Sequence, residues 1–228
     1  EFNPRNFESF WRPWQPEGPL VFRELPTEVQ VVFMSEIAKM AAPTISQIIL
    51  AGDTGGGSAP LNIIDGLVAT LEADSDVIDA GTPVALNAGN IESKEAQVYG
   101  LSPIAVRRHP DYKILMGSTA AELHRDAVIA QTYKGNDFTQ DAPLAYRGKQ
   151  IIELVGLPDD VMIAGRFSAG ADSHLHVAMD WDQQSLAVGE DVLLVDRVAP
   201  NSEKFFVRGD FKLGVGISFG EEMVLYKV

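Results

Sequence analysis

From Phe205 to Phe219 the chain alternates strictly. Phe205, Val207, Gly209, Phe211, Leu213, Val215, Ile217 and Phe219 form one set, and seven of these eight are large and apolar. The interleaved set is Phe206, Arg208, Asp210, Lys212, Gly214, Gly216, Ser218 and Gly220. A period of two is the signature of a strand with one covered face. Read as one strand, these fifteen residues would run about 50 Å, well past the usual strand length. A compact ball cannot bury such an element, so the pattern predicts an elongated sheet, bent or bulged at its glycines.

Something long must cover that sheet, and residues 27–50 supply it. Thr27 and Gln30 stand at capping-box spacing just after Pro26. Val29, Phe33, Ile37, Met40, Ala41, Ile45 and Ile48 then recur at three and four. The spacing predicts a helix of roughly 36 Å lying across the apolar face of the sheet, with a kink near Lys39 imposed by Pro43. It ends at Gly52-Asp53, before the flexible stretch Thr54-Gly55-Gly56-Gly57-Ser58.

A shorter helix is expected from Asn62 through Leu71, and a helical pattern over 91–107 is broken by Gly100 and Pro103. Tyr112-Lys113-Ile114-Leu115-Met116 reads as a short buried strand. It turns at Gly117-Ser118 into a helix with Thr119 and Glu122 at capping-box spacing, ending near Gly135. From residue 149 the pattern is β, with strands expected at Gln150–Val155, Val161–Ala164, His174–Met179 and Val192–Val198. Separate helical and strand runs argue for an α+β fold rather than repeating βαβ units.

Composition narrows the function. The 228 residues include 32 acidic against 18 basic side chains, a net charge of −14, which disfavours a protein that neutralises nucleic-acid phosphate. The hydrophobic share of 46% is ample for a packed core. No run approaches a membrane span. The absence of cysteine removes disulfide scaffolds, thiolate zinc sites and cysteine nucleophiles together. The chain opens at Glu1 with neither initiator Met nor signal-peptide pattern, so upstream residues removed by proteolysis or cloning are expected. Residues 1–26 set Phe2, Phe7, Phe10, Trp11, Trp14 and Phe22 among five prolines. Such a segment is extended, and its aromatics need cover, either from the chain's own core or from a neighbouring subunit. Phe10, Trp11, Trp14 and Phe22 are the candidate inter-subunit contacts.

Catalytic signatures are weak. His174 and His176 stand at i and i+2 near Asp172, Asp180 and Asp182, a ligand set that would suit zinc or iron. Leu175, Val177 and Met179 are the inward set of that strand, which places both histidines on its solvated face, and no third ligand is set by spacing. Gly52–Ser58 follows a helix and lacks the P-loop lysine, so it reads as a helix C-cap and connector. Gly214-Val215-Gly216 lacks the third glycine of a dinucleotide fingerprint. No Gly-x-Ser-x-Gly elbow occurs; His109 precedes Pro110 and His124 sits inside a helix. Arg107-Arg108 reads as a helix end complementing its dipole. The residues assign no catalytic group, metal or cofactor.

Four segments carry a family likeness: Ile48-Ile49-Leu50-Ala51-Gly52-Asp53, Asn62-Ile63-Ile64-Asp65-Gly66-Leu67, Ile114 through Leu123, and Phe206-Val207-Arg208-Gly209-Asp210-Phe211-Lys212. In order and pattern the chain resembles the major capsid proteins of tailed bacteriophages, with the Hong Kong 97 phage-type shell fold. The likeness implies an α+β capsid fold with an elongated peripheral domain (27–75 plus 199–228), a compact mixed axial domain (76–198), and 1–26 as an extended-loop or arm remnant. It implies a structural, non-enzymatic subunit of a phage or prophage capsid that self-assembles into pentamers and hexamers around double-stranded DNA without binding it sequence-specifically. The partner is the chain itself, with scaffolding, portal or decoration proteins as further partners. The location is the virion capsid, after synthesis in the bacterial host cytoplasm, with no membrane. The family's N-terminal arm is absent and the extended loop incomplete. Alternatives are an encapsulin-type nanocompartment shell protein and, in a different class, a metal-dependent enzyme using His174 and His176.

Overall fold

Successive apolar positions in Tyr112–Met116 call for cover on both faces of a strand, and the computed structural model provides it. The structure describes residues 27–56, 58–130, 144–180, 193–197, 205–209 and 212–228. They fall into two compact units, one comprising 27–42 and the described parts of 179–213, the other the described parts of 43–178 and 214–228.

The larger unit is built on a six-stranded mixed sheet. Its strands are β1 (Ile78–Asp79), β2 (Tyr112–Gly117), β3 (Ala145–Tyr146), β4 (Lys149–Leu154), β5 (Val161–Arg166) and β10 (Val224–Lys227), in the order β1-β10-β5-β2-β4-β3. β2 is central, antiparallel to β5 and parallel to β4. β10 lies between β5, to which it is antiparallel, and β1, to which it is parallel. Both edges are strands of two residues, short enough to resist edge-to-edge pairing. β3 and β4 are joined by Arg147-Gly148, both at positive φ (+49° and +75°), the backbone of a tight two-residue hairpin.

Alternation along the three central strands sorts the core into two layers. Ile114, Met116, Met162, Ala164, Val224 and Tyr226 pack with Ile91 and Val98 of α3 (Ile91–Leu101) and with Ala120, Ala121 and Ala127 of α5 (Ser118–Ala130). Leu115, Ile163 and Leu225 belong to the other layer, with Leu67, Val68 and Leu71 of α2 (Leu67–Ala73) and Leu50 near the end of α1 (Thr27–Ala51). α4 (Ile104–Arg108) contributes Val106 to the first layer. The Tyr226 hydroxyl, buried with its ring, accepts from the Val84 N–H and donates to the Val84 carbonyl, tying the 80–90 segment to β10.

α1 is a continuous helix with Pro43 inside it, and the division between the two units falls at Ala42/Pro43. Gly52 and Gly66 then cross at close range. A Cβ on Gly52 would lie 2.5 Å from the Ile48 and Ile64 carbonyl oxygens, and one on Gly66 would lie 2.7 Å from Gly52 N. Gly66 N–H donates to the Gly52 carbonyl at 2.9 Å. This contact holds Asn62–Asp65 as a connector, so the helix expected from Asn62 begins only at Leu67. The break expected over 91–107 falls at Ser102-Pro103, and α3 runs through Gly100. Thr119 does not form the expected capping box; its hydroxyl donates to the Asp159 carboxylate at 2.6 Å. α5 ends at Ala130, and the expected end near Gly135 lies outside the described residues.

Within the alternating segment 205–219 the described residues form two strands with different partners. β8 (Phe205–Gly209) pairs antiparallel with β7 (Leu193–Arg197), Val207 opposite Val195. β9 (Lys212–Ile217) pairs instead with β6 (Leu175–Asp180). Strand structure then stops because Phe219 takes a left-handed conformation (φ +59°, ψ +60°) and opens a 3-10 turn, Gly220–Glu222. A period of two records which face a residue occupies, and two strands with different partners keep it as well as one.

Candidate functional site

Of the two candidate metal ligands, only His176 lies on an exposed surface; His174 is fully buried. The reason is local. His174 precedes β6, and its backbone bridges two strands: its N–H donates to the Arg166 carbonyl (2.9 Å), and its carbonyl accepts from Ser218 N–H (2.8 Å). The ring turns inward over Gly165, where an added Cβ would lie 3.0 Å from His174 Nδ1. The expected solvated placement of His174 is thus corrected, and the two histidines do not converge.

The buried ring is fully engaged. Arg166 N lies 3.3 Å from Nδ1 and Arg166 Nε 2.8 Å from Nε2, which is also 3.0 Å from Glu222 Oε2; a neutral ring accepts at one of these nitrogens and carries its N–H on the other. Arg166 Nη2 also donates to Glu222 Oε2. Burial, followed by the Arg166 charge, holds the His174 pKa below the ordinary 6.5, against the opposing pull of Glu222. The geometry agrees, since an imidazolium would set two N–H groups against two Arg166 donors. Phe219 caps the group, its ring 6.1 Å from the His174 ring and 5.9 Å from the Arg166 guanidinium carbon. Among the described residues no group of three or more His, Asp or Glu could hold a metal ion.

His124 has a different environment. It lies on the same buried stripe of α5 as Ala120, Ala121 and Ala127, and its Nδ1 shares a hydrogen bond of 2.6 Å with Glu95 Oε1 of α3. Glu95 is completely buried and its Oε2 has no hydrogen-bond partner among the described residues. Burial pushes the Glu95 pKa up, and the bond from His124 opposes that shift. This pair joins two helices and has no outlet to solvent, so it is suited to packing specificity rather than to chemistry on a ligand. A signal for it was present: Glu95 falls on the Ile91–Val98 stripe, where an acid needs a partner.

In the glycine-rich loop the donors of Thr54 and Gly55 are spent internally. Asp65 accepts from both Thr54 N–H (2.8 Å) and the Thr54 hydroxyl (2.7 Å), which holds its carboxyl below the usual range. Asp53 accepts from Gly55 N–H. A phosphate cradle needs such donors free, so the connector reading stands. Gly214 and Gly216 lie inside β9 and open no helix. Among the described residues no serine hydroxyl is bonded to a histidine ring, and His109 is paired with Asp111.

Arg107 does more than end a helix. Its guanidinium lies over Tyr99 (5.2 Å), and Arg147 at the hairpin turn lies over Tyr99 (5.5 Å) and Tyr146 (5.4 Å). Tyr99 meets Tyr112 and Tyr146 edge-on, at 5.9 and 6.2 Å between centroids. Burial pushes the Tyr112 hydroxyl up to about 12, and that hydroxyl bonds Ser102 Oγ at 2.9 Å. Four separate segments build this cluster, so no spacing in the sequence announces it. The candidate contacts Phe10, Trp11, Trp14 and Phe22 lie outside the described residues. Among the described residues no helix is long and apolar enough to cross a membrane.

No protein-family model matches the chain, and no curated protein matches it in sequence. Solved structures do match in fold. One is a chain of the satellite phage P4 procapsid, a particle that includes the size determination protein Sid: identity is 10%, coverage 99% of this chain and 72% of that one, TM-score 0.56. Another is a chain from the capsid of an empty GTA particle: identity is 15%, coverage 87% of this chain and 64% of that one, TM-score 0.50. The chain therefore has the α+β fold of phage capsid proteins, as the resemblance of its segments implied.

Proposed function

We propose that this chain is a structural shell subunit of a phage or prophage capsid, acting by self-association rather than catalysis. The observation that carries the reading is the fold match to the P4 procapsid chain over 99% of the residues. Surface chemistry supports it. Val155, Ile63 and Ile104 are 71%, 63% and 61% exposed, and packing against copies would cover such side chains. The charge of −14 suits a container wall that repels packaged DNA and leaves it mobile. Pentamers and hexamers, enclosure of double-stranded DNA, and aromatic contacts through Phe10, Trp11, Trp14 and Phe22 are the finer parts of this proposal.

Size-exclusion chromatography with light scattering, and negative-stain imaging of each peak, tests the reading. Rings of five or six subunits, or closed shells, are expected. A chain that stays monomeric at high concentration, with any upstream residues of its gene restored, overturns it.

A further inference from the structure

Copies carrying −14 each repel one another, so a local patch of opposite sign favours a contact between them. Among the arginines whose side chains are described, Arg125 pairs with Glu153 and Arg166 with Glu222. Arg107, Arg108 and Arg147 have no carboxylate partner among the described residues. Arg107 and Arg147 lie against Tyr99 and Tyr146 at the β3 edge of the six-stranded sheet. Leu101 and Ile104, on the helices that carry Tyr99 and Arg107, are 41% and 61% exposed. Arginine beside tyrosine is the composition of an interface core, where an aromatic face and a planar cation are desolvated together.

The opposite edge of the same sheet is its complement. A cavity of about 410 Å³ beside β1 and β10 has Leu71, Val77, Leu225 and Val228 in its walls and Glu72, Asp74 and Asp79 on its acidic side. Lys227 is the cation there, and it is paired with Glu72. The two edge strands lie five strand spacings apart, about 24 Å at the usual spacing. One chain cannot bring them together. Two chains can, and a contact between unlike patches on opposite sides of a subunit is heterologous, the kind that closes into rings.

We propose that the Arg107–Arg147–Tyr99–Tyr146 edge of one copy docks on the Glu72–Asp74–Asp79 cavity of the next, and that this charge-complementary contact builds the ring of the assembly. The occupant of each edge is a second copy of this chain. The inference rests on the shell reading above and adds to it the surfaces that meet.

Charge reversal tests it on the full chain. Arg107→Glu/Arg147→Glu and Glu72→Arg/Asp79→Arg each set like charges together, and each is expected to weaken assembly by about a hundredfold or more in sedimentation and negative-stain imaging. The fourfold variant restores opposite signs and is expected to assemble like the wild type. An equimolar mixture of the two double variants alternates around a ring, so it is expected to form even-membered rings and no pentamers. Arg147→Ala, a milder change at an exposed turn, covers the case in which a double variant fails to fold; it should weaken assembly with circular dichroism unchanged. Wild-type assembly with undiminished assembly of Arg147→Ala and the double variants, or without rescue by the fourfold variant, overturns the proposed surfaces and leaves the shell reading intact. A wild-type chain that never assembles overturns both.

Discussion

Replacing His124 with alanine removes the hydrogen bond that Glu95 receives at Oε1 and leaves the carboxylate with neither oxygen bonded. Glu95 has no exposed surface, so water cannot replace the imidazole without opening the α3–α5 contact. Breaking a buried pair from one side costs about 3–5 kcal/mol, because the remaining charge keeps its full desolvation penalty. In a chain of this size each kcal/mol shifts the Tm by about 2–4 °C. The cost depends on pH, with a sign that follows from linkage. Burial already raises the Glu95 carboxyl above its ordinary 4.5 in the folded state, and losing His124 removes an opposing influence. A group raised on folding contributes stability below its unfolded pKa and loses it as pH rises through the folded one. The deficit of His124→Ala should therefore be small near pH 4.5 and grow toward neutrality. Removing both polar groups with Glu95→Leu/His124→Leu should return stability to within about 1 kcal/mol of wild type, or above it, since well-packed apolar residues replace buried polar pairs without loss. Urea and thermal unfolding of the unassembled chain between pH 4.5 and 8 would read both variants, with Glu95→Leu and His124→Leu as the single changes. A His124→Ala cost below about 1 kcal/mol that does not vary with pH would refute the reasoning. So would a double variant as unstable as the sum of its single changes.

Two further predictions use the same assay. Gly52→Ala places a Cβ 2.5 Å from two backbone oxygens and should cost about 2–3 kcal/mol, whereas Gly100→Ala, inside α3 with nothing within 4 Å, should stabilise by about 0.5–1 kcal/mol; effects of the same sign would show the crossing at Gly52 to be slack. His174, held below 6.5, contributes stability above its unfolded pKa and loses it as pH falls toward the depressed folded value. Tm should therefore drop between pH 7 and pH 5 more steeply in the wild type than in His174→Gln, and equal slopes would mean the ring titrates as it does in the unfolded chain.

Much of this molecule is legible in one dimension. Tyr112–Met116 announces a strand covered on both faces, and the three-and-four spacing from Val29 to Ile48 announces the long helix. These signals are local, because periodicity reports how one element divides its own residues between inside and outside. Partnership is not local. Phe205–Phe219 shows an unbroken alternation, yet β8 pairs with β7 and β9 with β6, since both ribbons present the same period. His174 sits beside a strand whose spacing places it outward; only Gly165, a residue without a side chain in the neighbouring strand, opens the space that takes the ring inside. The Arg107–Tyr99–Arg147–Tyr146 cluster comes from α3, α4, the hairpin turn and β3, which meet because the sheet order places them at one edge. The sequence by itself determined the elements, the absence of cysteine chemistry and the acidic surface, all sums or periods over neighbouring residues. Strand partners, the two buried histidine networks and the opposite charges at the two sheet edges were decided by tertiary structure alone, because each depends on which distant segments packing brings together.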